Sequence, residues 1–159
     1  MRGLGWNLAL AVTWVALTGE TSGVNIAFGF GLGLLVLVIA GGALGAPGYV
    51  RFVARVTGLA LYFMRELALA NLQLAIDVVV PRHMATPAII AVPLAAETDL
   101  EISLLASLLT LTPGSVTIDV SADRKTLYVH VLYLRRGDVE ATRQQIKQGF
   151  ERRILEVTR

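Results

Sequence analysis

Cysteine is absent from this chain, so it has no disulfide framework, no thiolate metal site and no thiol nucleophile. Histidine is almost absent: His83 and His130 lie in different contexts with no acid at ligand spacing beside either, which argues against a metal site. Charge is scarce too. Only 16% of residues are charged while 55% are hydrophobic, a balance shifted from the soluble average of ~25% charged toward membrane proteins. The net charge of +2 is too small and too mixed for a nucleic-acid surface. No glycine-rich loop joins a strand to a helix, and no serine sits in a nucleophile elbow. These lacks point away from catalysis and from a bound cofactor.

What the chain does have is long apolar runs. Residues 24–46, VNIAFGFGLGLLVLVIAGGALGA, carry no charge and cover roughly 34 Å as a helix, enough for a hydrocarbon core of ~30 Å. Apolar or glycine residues occupy every angle, so no wet face can be drawn, and the run reads as a transmembrane helix. Residues 3–19 are also uncharged and span roughly 26 Å, slightly short for a crossing. Arg2 and this run would suit a signal peptide, but a second apolar run follows at once, which favours an uncleaved span. The link TGETSG is turn-forming and predicts a helical hairpin. Arg2, Arg51 and Arg55 flank the pair while the link holds only Glu20, so the positive-inside rule puts both ends in the cytoplasm. Gly29, Gly33, Gly41 and Gly45 keep a spacing of four with Leu37 in the gap, clearing a groove for another helix, although glycine is also simply common in membrane helices.

Residues 49–80 read as one long helix. Arg51, Arg55, Arg65, Glu66, Gln73 and Asp77 share one arc, which Leu59, Tyr62, Leu69 and Ile76 interrupt. Such a helix suits the cytoplasmic interface or the surface of partner proteins, and Arg51, Arg55 and Arg65 are candidate lipid or subunit contacts. A third span is the other reading, and requires Arg65 and Glu66 to face protein or water, since a lipid-facing charge costs at least ~2.5 kcal/mol. Glu66 and Asp77 are the candidate ion-path acids, weighed against a structural stripe. The first two spans contain no carboxylate or lysine, so the chain is not a self-sufficient ion carrier.

The remainder reads as a small soluble domain. Pro87 and Pro93 bracket AIIAV, an apolar run of buried-strand type. Thr98 to Glu101 form a capping box opening a largely buried helix over about 99–110, and Thr112-Pro113-Gly114 closes it. Val116, Ile118 and Val120 then alternate with Thr117 and Asp119, a half-buried strand; a hairpin at 122–125 leads to a strand with Leu127, Val129, Val131 and Tyr133 inward and Tyr128 and His130 outward. Asp138 caps a last helix with Val139, Ile146, Phe150, Ile154 and Val157 at helical spacing. The expected architecture is therefore a membrane protein: a transmembrane hairpin (1–48), a charged-stripe helix (49–81) and a cytoplasmic α+β domain (82–159) of order β-α-β-β-α. So small a core is marginal alone and should lean on a partner or on its own helices.

The run LLASLLTLTPGSVTIDVSADRKTLYVHV, residues 104–131, closely resembles the signature region of the E-type subunit of the multisubunit Mrp-type Na⁺/H⁺ antiporters. The resemblance extends to Glu66-Leu67-x-x-Ala70-Asn71, to Asn7 and Trp14, and to the hydropathy profile of nearly the whole chain. Ser107 stands where that family usually has asparagine, and Ser115 where threonine is usual. The resemblance implies an accessory subunit in a prokaryotic plasma-membrane complex that exchanges cytoplasmic Na⁺ for external H⁺, supporting pH and sodium homeostasis. Its implied partners are the other subunits, including large antiporter-like ones that carry the ion paths, and membrane lipid. The motif residues Thr110, Thr112, Pro113, Gly114 and His130 are expected to be structural, with Gly114 at a positive φ. Two rivals remain: a free-standing membrane-anchored adaptor or ligand-sensing domain, which requires a pocket, and a membrane-anchored enzyme, whose only candidate groups are His130 and Tyr128.

Overall fold

A computed structural model of the chain describes residues 2–40, 47–80, 85–134 and 137–159. Gly41, Gly45, Pro81 and His83 lie outside the described residues. The chain divides into two compact units, Met1–Val56 and Thr57–Arg159.

The first unit is built on two apolar helices, α1 (Arg2–Thr18) and α2 (Gly23–Ala40), followed by the opening turns of α3 (Pro47–Val79). Each helix of the pair buries one narrow line of residues four apart, Gly3, Asn7 and Ala11 on α1 and Gly29, Gly33 and Leu37 on α2. Small side chains on both lines let the backbones approach, which is how apolar helices associate where water supplies no driving force. Trp14 lies against Gly29, where a Cβ would meet the indole Cδ1 at 2.9 Å, and Asn7 and Leu10 lie against Gly33. At Gly29 and Gly33 the groove predicted for another helix is filled by the chain's own α1.

Polar contacts pin both ends of the hairpin. Near the link, Trp14 Nε1 donates to Asn25 Oδ1 at 2.9 Å, and Asn25 Nδ2 donates to Thr18 Oγ1 and to the Glu20 carbonyl, each at 2.7 Å. Toward the other end, the fully buried Asn7 donates through Nδ2 to the Tyr49 hydroxyl of α3 at 2.9 Å. Among the described residues, two helices are long and apolar enough to cross a membrane, Gly23–Ala40 and Gly48–Val79, while Gly3–Thr18 is shorter.

The second unit contains the rest of α3 and a three-stranded antiparallel sheet of β1 (Ala88–Pro93), β2 (Ser115–Val120) and β3 (Thr126–Val131) in the order β1-β3-β2. Central β3 sends Leu127, Val129 and Val131 inward beside Ile90 and Val92 of β1. Against that face pack Leu105 and Leu109 of α4 (Asp99–Leu111) and the C-terminal helical run, made of α5 (Val139–Ile146), a π-helical turn (Lys147–Glu151) and α6 (Arg152–Thr158). The run contributes Ile146, Phe150 and Ile154; Val139, expected among its apolar positions, is exposed.

Strand β2 corrects the simplest reading of its alternation. Val116 and Ile118 are half exposed on the outer face of the sheet, and Ser115 and Thr117 turn toward α4, while Val120 packs on the core as its alternation predicts. Ser115 Oγ donates to the Leu109 carbonyl at 2.6 Å and Thr117 Oγ1 to the Ala106 carbonyl at 3.2 Å. The Leu109 carbonyl lies in the last turn of α4, where Pro113 has no N–H to supply the regular helical bond and the Thr112 N–H bonds it at 3.1 Å instead, so the Ser115 hydroxyl fills its second acceptor position, which a methyl could not. A bulge between Thr117 and Asp119 then shifts the register against β3.

Candidate functional site

One face of α3 explains why its charged arc is interrupted. Leu59, Tyr62 and Phe63 pack on the domain core, and Glu66 and Asp77 continue the same line at helical spacing. Tyr62 is the anchor. Its ring meets Phe150 edge-on at 5.1 Å and 76°, the Arg153 guanidinium lies 3.9 Å above its centroid, and Gly149 leaves room for its hydroxyl. These contacts fall on the π-helical turn, whose wider coil carries Gly149 and Phe150 to the ring.

Beyond Tyr62 the helix and the domain diverge around an open cleft of about 450 Å³. Its apolar lining includes Leu69, Leu109, Val131 and Phe150, and the Thr112-Pro113-Gly114 turn with Ser115 lines it too. Gly114 has φ +87, the left-handed conformation in which a side chain is strained. Arg65, Glu66, Gln73 and Gln145 supply polar groups. Glu66 accepts from Arg65 Nη1 at 2.6 Å and from Gln145 Nε2 at 3.1 Å. Near the end of α3, the Tyr133 hydroxyl donates to the buried Asp77 carboxylate at 3.0 Å. Burial first, then this hydrogen bond, raise the Tyr133 phenol above its ordinary value.

The structure thus brings Arg65, Glu66, Thr112, Pro113 and Gly114 to one cleft, with Asp77 bonded to its lining residue Tyr133. Thr110 accepts from the Thr117 backbone at 3.3 Å through its hydroxyl, tying α4 to β2. His130 lies on β3 opposite Ile89 and Val116 with Tyr128 two residues away, and neither lines the cleft. Arg51 and Arg55 are exposed on the part of α3 in the first unit. No cluster of three or more His, Cys, Asp or Glu groups capable of holding a metal occurs among the described residues.

Two buried carboxylates escaped the sequence reading in part. Glu101 completes the expected capping box, accepting from the Glu97 and Thr98 backbones at 2.9 and 3.2 Å, but it also accepts from Thr158 Oγ1 at 2.9 Å and Arg159 Nε at 3.2 Å. The Arg159 bond, then the two backbone donors, hold its carboxyl far below the usual range. Glu151 accepts from the Ala95 and Ala96 backbones at 2.5 and 3.1 Å, joining the π-helical turn to the segment after β1. The only advance signal of that turn was Gly149 inside an otherwise helical pattern.

A family model described as Na⁺/H⁺ ion antiporter subunit matches residues 7–157. The chain is 37% identical over 153 residues to the E-type Na⁺/H⁺ antiporter subunit of Alkalihalophilus pseudofirmus, covering 96% of both chains. It is 33% identical to the E-type subunit of Bacillus subtilis over the same length, again covering 96% of each. Among solved structures it is similar in fold to a chain of the Mrp complex from Dietzia sp., with TM-score 0.50 and 24% identity over 66% of this chain and 96% of that one. It is also similar in fold to a chain of the membrane-bound sulfane sulfur reductase, an archaeal respiratory membrane complex, with TM-score 0.54 and 22% identity over 96% of each.

Proposed function

Because this chain belongs to the family of E-type Na⁺/H⁺ antiporter subunits, we propose that it is an accessory, non-catalytic component that supports assembly and stability of the complex exchanging cytoplasmic Na⁺ for external H⁺. The observation that carries this reading is the 37% identity that runs over 96% of both chains, so the relative and this chain share their membrane and soluble parts alike. The polar groups support it. Glu66 and Asp77 each engage partners in the chain's own domain, Gln145 and Tyr133, an arrangement that fastens α3 rather than lining an ion path.

The domain organisation we propose is a membrane hairpin over 1–48, the α3 region over 49–81 as an interfacial helix, and a cytoplasmic domain over 82–159, with both termini cytoplasmic in a prokaryotic plasma membrane. Supporting this, Leu61, Met64, Leu72 and Val79 leave an exposed apolar face on α3 while Tyr62, Glu66 and Asp77 face the domain. A helix whose polar side is already engaged by its own chain has its apolar side left for lipid or for other subunits. The outer sheet face, with Ile89, Val116, Ile118 and Tyr128 exposed, offers a second subunit contact.

Detergent extraction of the tagged chain from its native membrane at natural expression level, with identification of all co-purifying proteins, tests the reading. Large multi-span antiporter-like proteins in fixed ratio are expected; recovery of the chain alone, stable and monodisperse, would overturn it in favour of a free-standing adaptor.

A further inference from the structure

We propose that the cleft between α3 and the Thr112-Pro113-Gly114 turn binds one membrane glycerophospholipid, with the phosphate on Arg65 and an acyl chain against Leu69, Leu109 and Phe150. This rests on the reading of α3 as an interfacial helix. The volume of about 450 Å³ falls within the range of small-ligand sites, ~300–1,000 Å³. The lining is amphiphilic in a way neither a water-filled crevice nor a closed core would be. Leu69 of α3 and Leu109, Val131 and Phe150 of the domain supply apolar groups, while Arg65, Glu66, Gln73, Gln145 and Tyr133 supply polar ones.

Charge selects the ligand further. The carboxylate of Glu66 already accepts from Arg65 and Gln145, and its side chain is only 12% exposed. Arg65 spends Nη1 on that pair, yet its side chain is 66% exposed, leaving the rest of its guanidinium fork presented to an incoming oxyanion. A cation over an apolar trough fits an amphiphile with a phosphate head. The amphiphile at hand for a helix with an exposed apolar face in a membrane complex is phospholipid.

The test uses the intact complex reconstituted in vesicles containing either a phosphatidylglycerol with a photoactivatable acyl chain or the diacylglycerol bearing the same chain. Labelled residues are then mapped by peptide mass spectrometry. Label is expected at Leu109, Val131 and Phe150, in about fivefold excess from the phospholipid, the scale of one exposed charge contact. Arg65→Gln should bring that ratio toward one. Ala70→Trp, which places an indole in the cleft, should remove cleft label from both probes while Leu61 and Met64 on the outward face stay labelled. Should Ala70→Trp fail to assemble, the exposed Arg65→Gln still decides. Label on Leu61 and Met64 with none in the cleft would overturn the lipid site and leave the interfacial helix standing; no label on either would overturn both. Equal cleft labelling by the two probes in the wild type would take the phosphate off Arg65 and overturn the proposal.

Discussion

Replacing Gly33 by alanine adds one methyl group where α1 presses on α2. The new Cβ would lie 3.2 Å from both the Asn7 carbonyl oxygen and the Leu10 Cβ, and closer still to Asn7 Oδ1. Two of these are fixed atoms that cannot rotate aside, so the helices must separate, at a cost of about 1–3 kcal/mol for overpacking. Alanine is also a better helix former than glycine by about 1 kcal/mol, which works in the opposite direction. Gly31 supplies the control. It lies in the same helix with nothing within 4 Å of its added Cβ, so Gly31→Ala gains propensity without a clash. The difference between the two variants removes the propensity contribution and isolates the packing one. We expect Gly33→Ala to lie about 1–3 kcal/mol below Gly31→Ala, about 5- to 150-fold in the folding constant. Unfolding of the detergent-solubilised chain by added SDS, followed through tryptophan fluorescence, reads this because Trp14 sits in the seam against Gly29 and bonds Asn25. Equal midpoints for the two variants would refute the close packing of α1 on α2.

Gly114→Ala should destabilise the domain by about 1–2 kcal/mol, the strain of an L-residue at the φ of +87 found there, measured as a lower thermal midpoint of the complex. Tyr62→Leu keeps an apolar plug but loses the edge contact to Phe150 and the Arg153 cation above the ring; a loss of about 1–2 kcal/mol is expected, with faster amide exchange at residues 147–151. Glu101 gives a pH signature. Its folded carboxyl is depressed below its ordinary 4.5, so its stabilisation is full above that value and is lost as pH falls, because the unfolded chain takes up the proton first. The thermal midpoint of the wild type should therefore fall toward that of Glu101→Gln as pH is lowered from about 5 to about 3; a constant gap would contradict the assignment.

Much of this architecture was legible because it depends on patterns a sequence displays directly. The uncharged runs announced the hairpin, and Thr98 with Glu101 announced α4 together with the cap that opens it. The four-residue glycine spacing marked the helix seam, but it could not say which helix fills it, since α1 carries a matching line only once Asn7 and Ala11 are seen buried beside Gly3. The alternation of β2 was visible and its buried side was not. Hydrophobicity favours burying Val116 and Ile118, and only the carbonyls of α4 explain why Ser115 and Thr117 take that place. Tyr62 stood out as an interruption in a charged arc, whereas its partners lie some ninety residues away in a turn of non-standard helix. The cleft likewise joins four separate stretches. Glu66 and the Thr112-Pro113-Gly114 turn were each singled out from sequence, but nothing in their spacing places them around one cavity.

The most direct measurement returns this chain at graded levels to membranes that hold all the other subunits but lack it, and records in each sample both the amount of intact complex and the rate of Na⁺/H⁺ exchange. If the chain acts through assembly and stability, exchange per intact complex stays constant while the amount of complex rises with the chain. Membranes that hold a full complement of the remaining subunits, stably assembled without this chain but unable to exchange, would contradict the account and place the chain in the ion path itself.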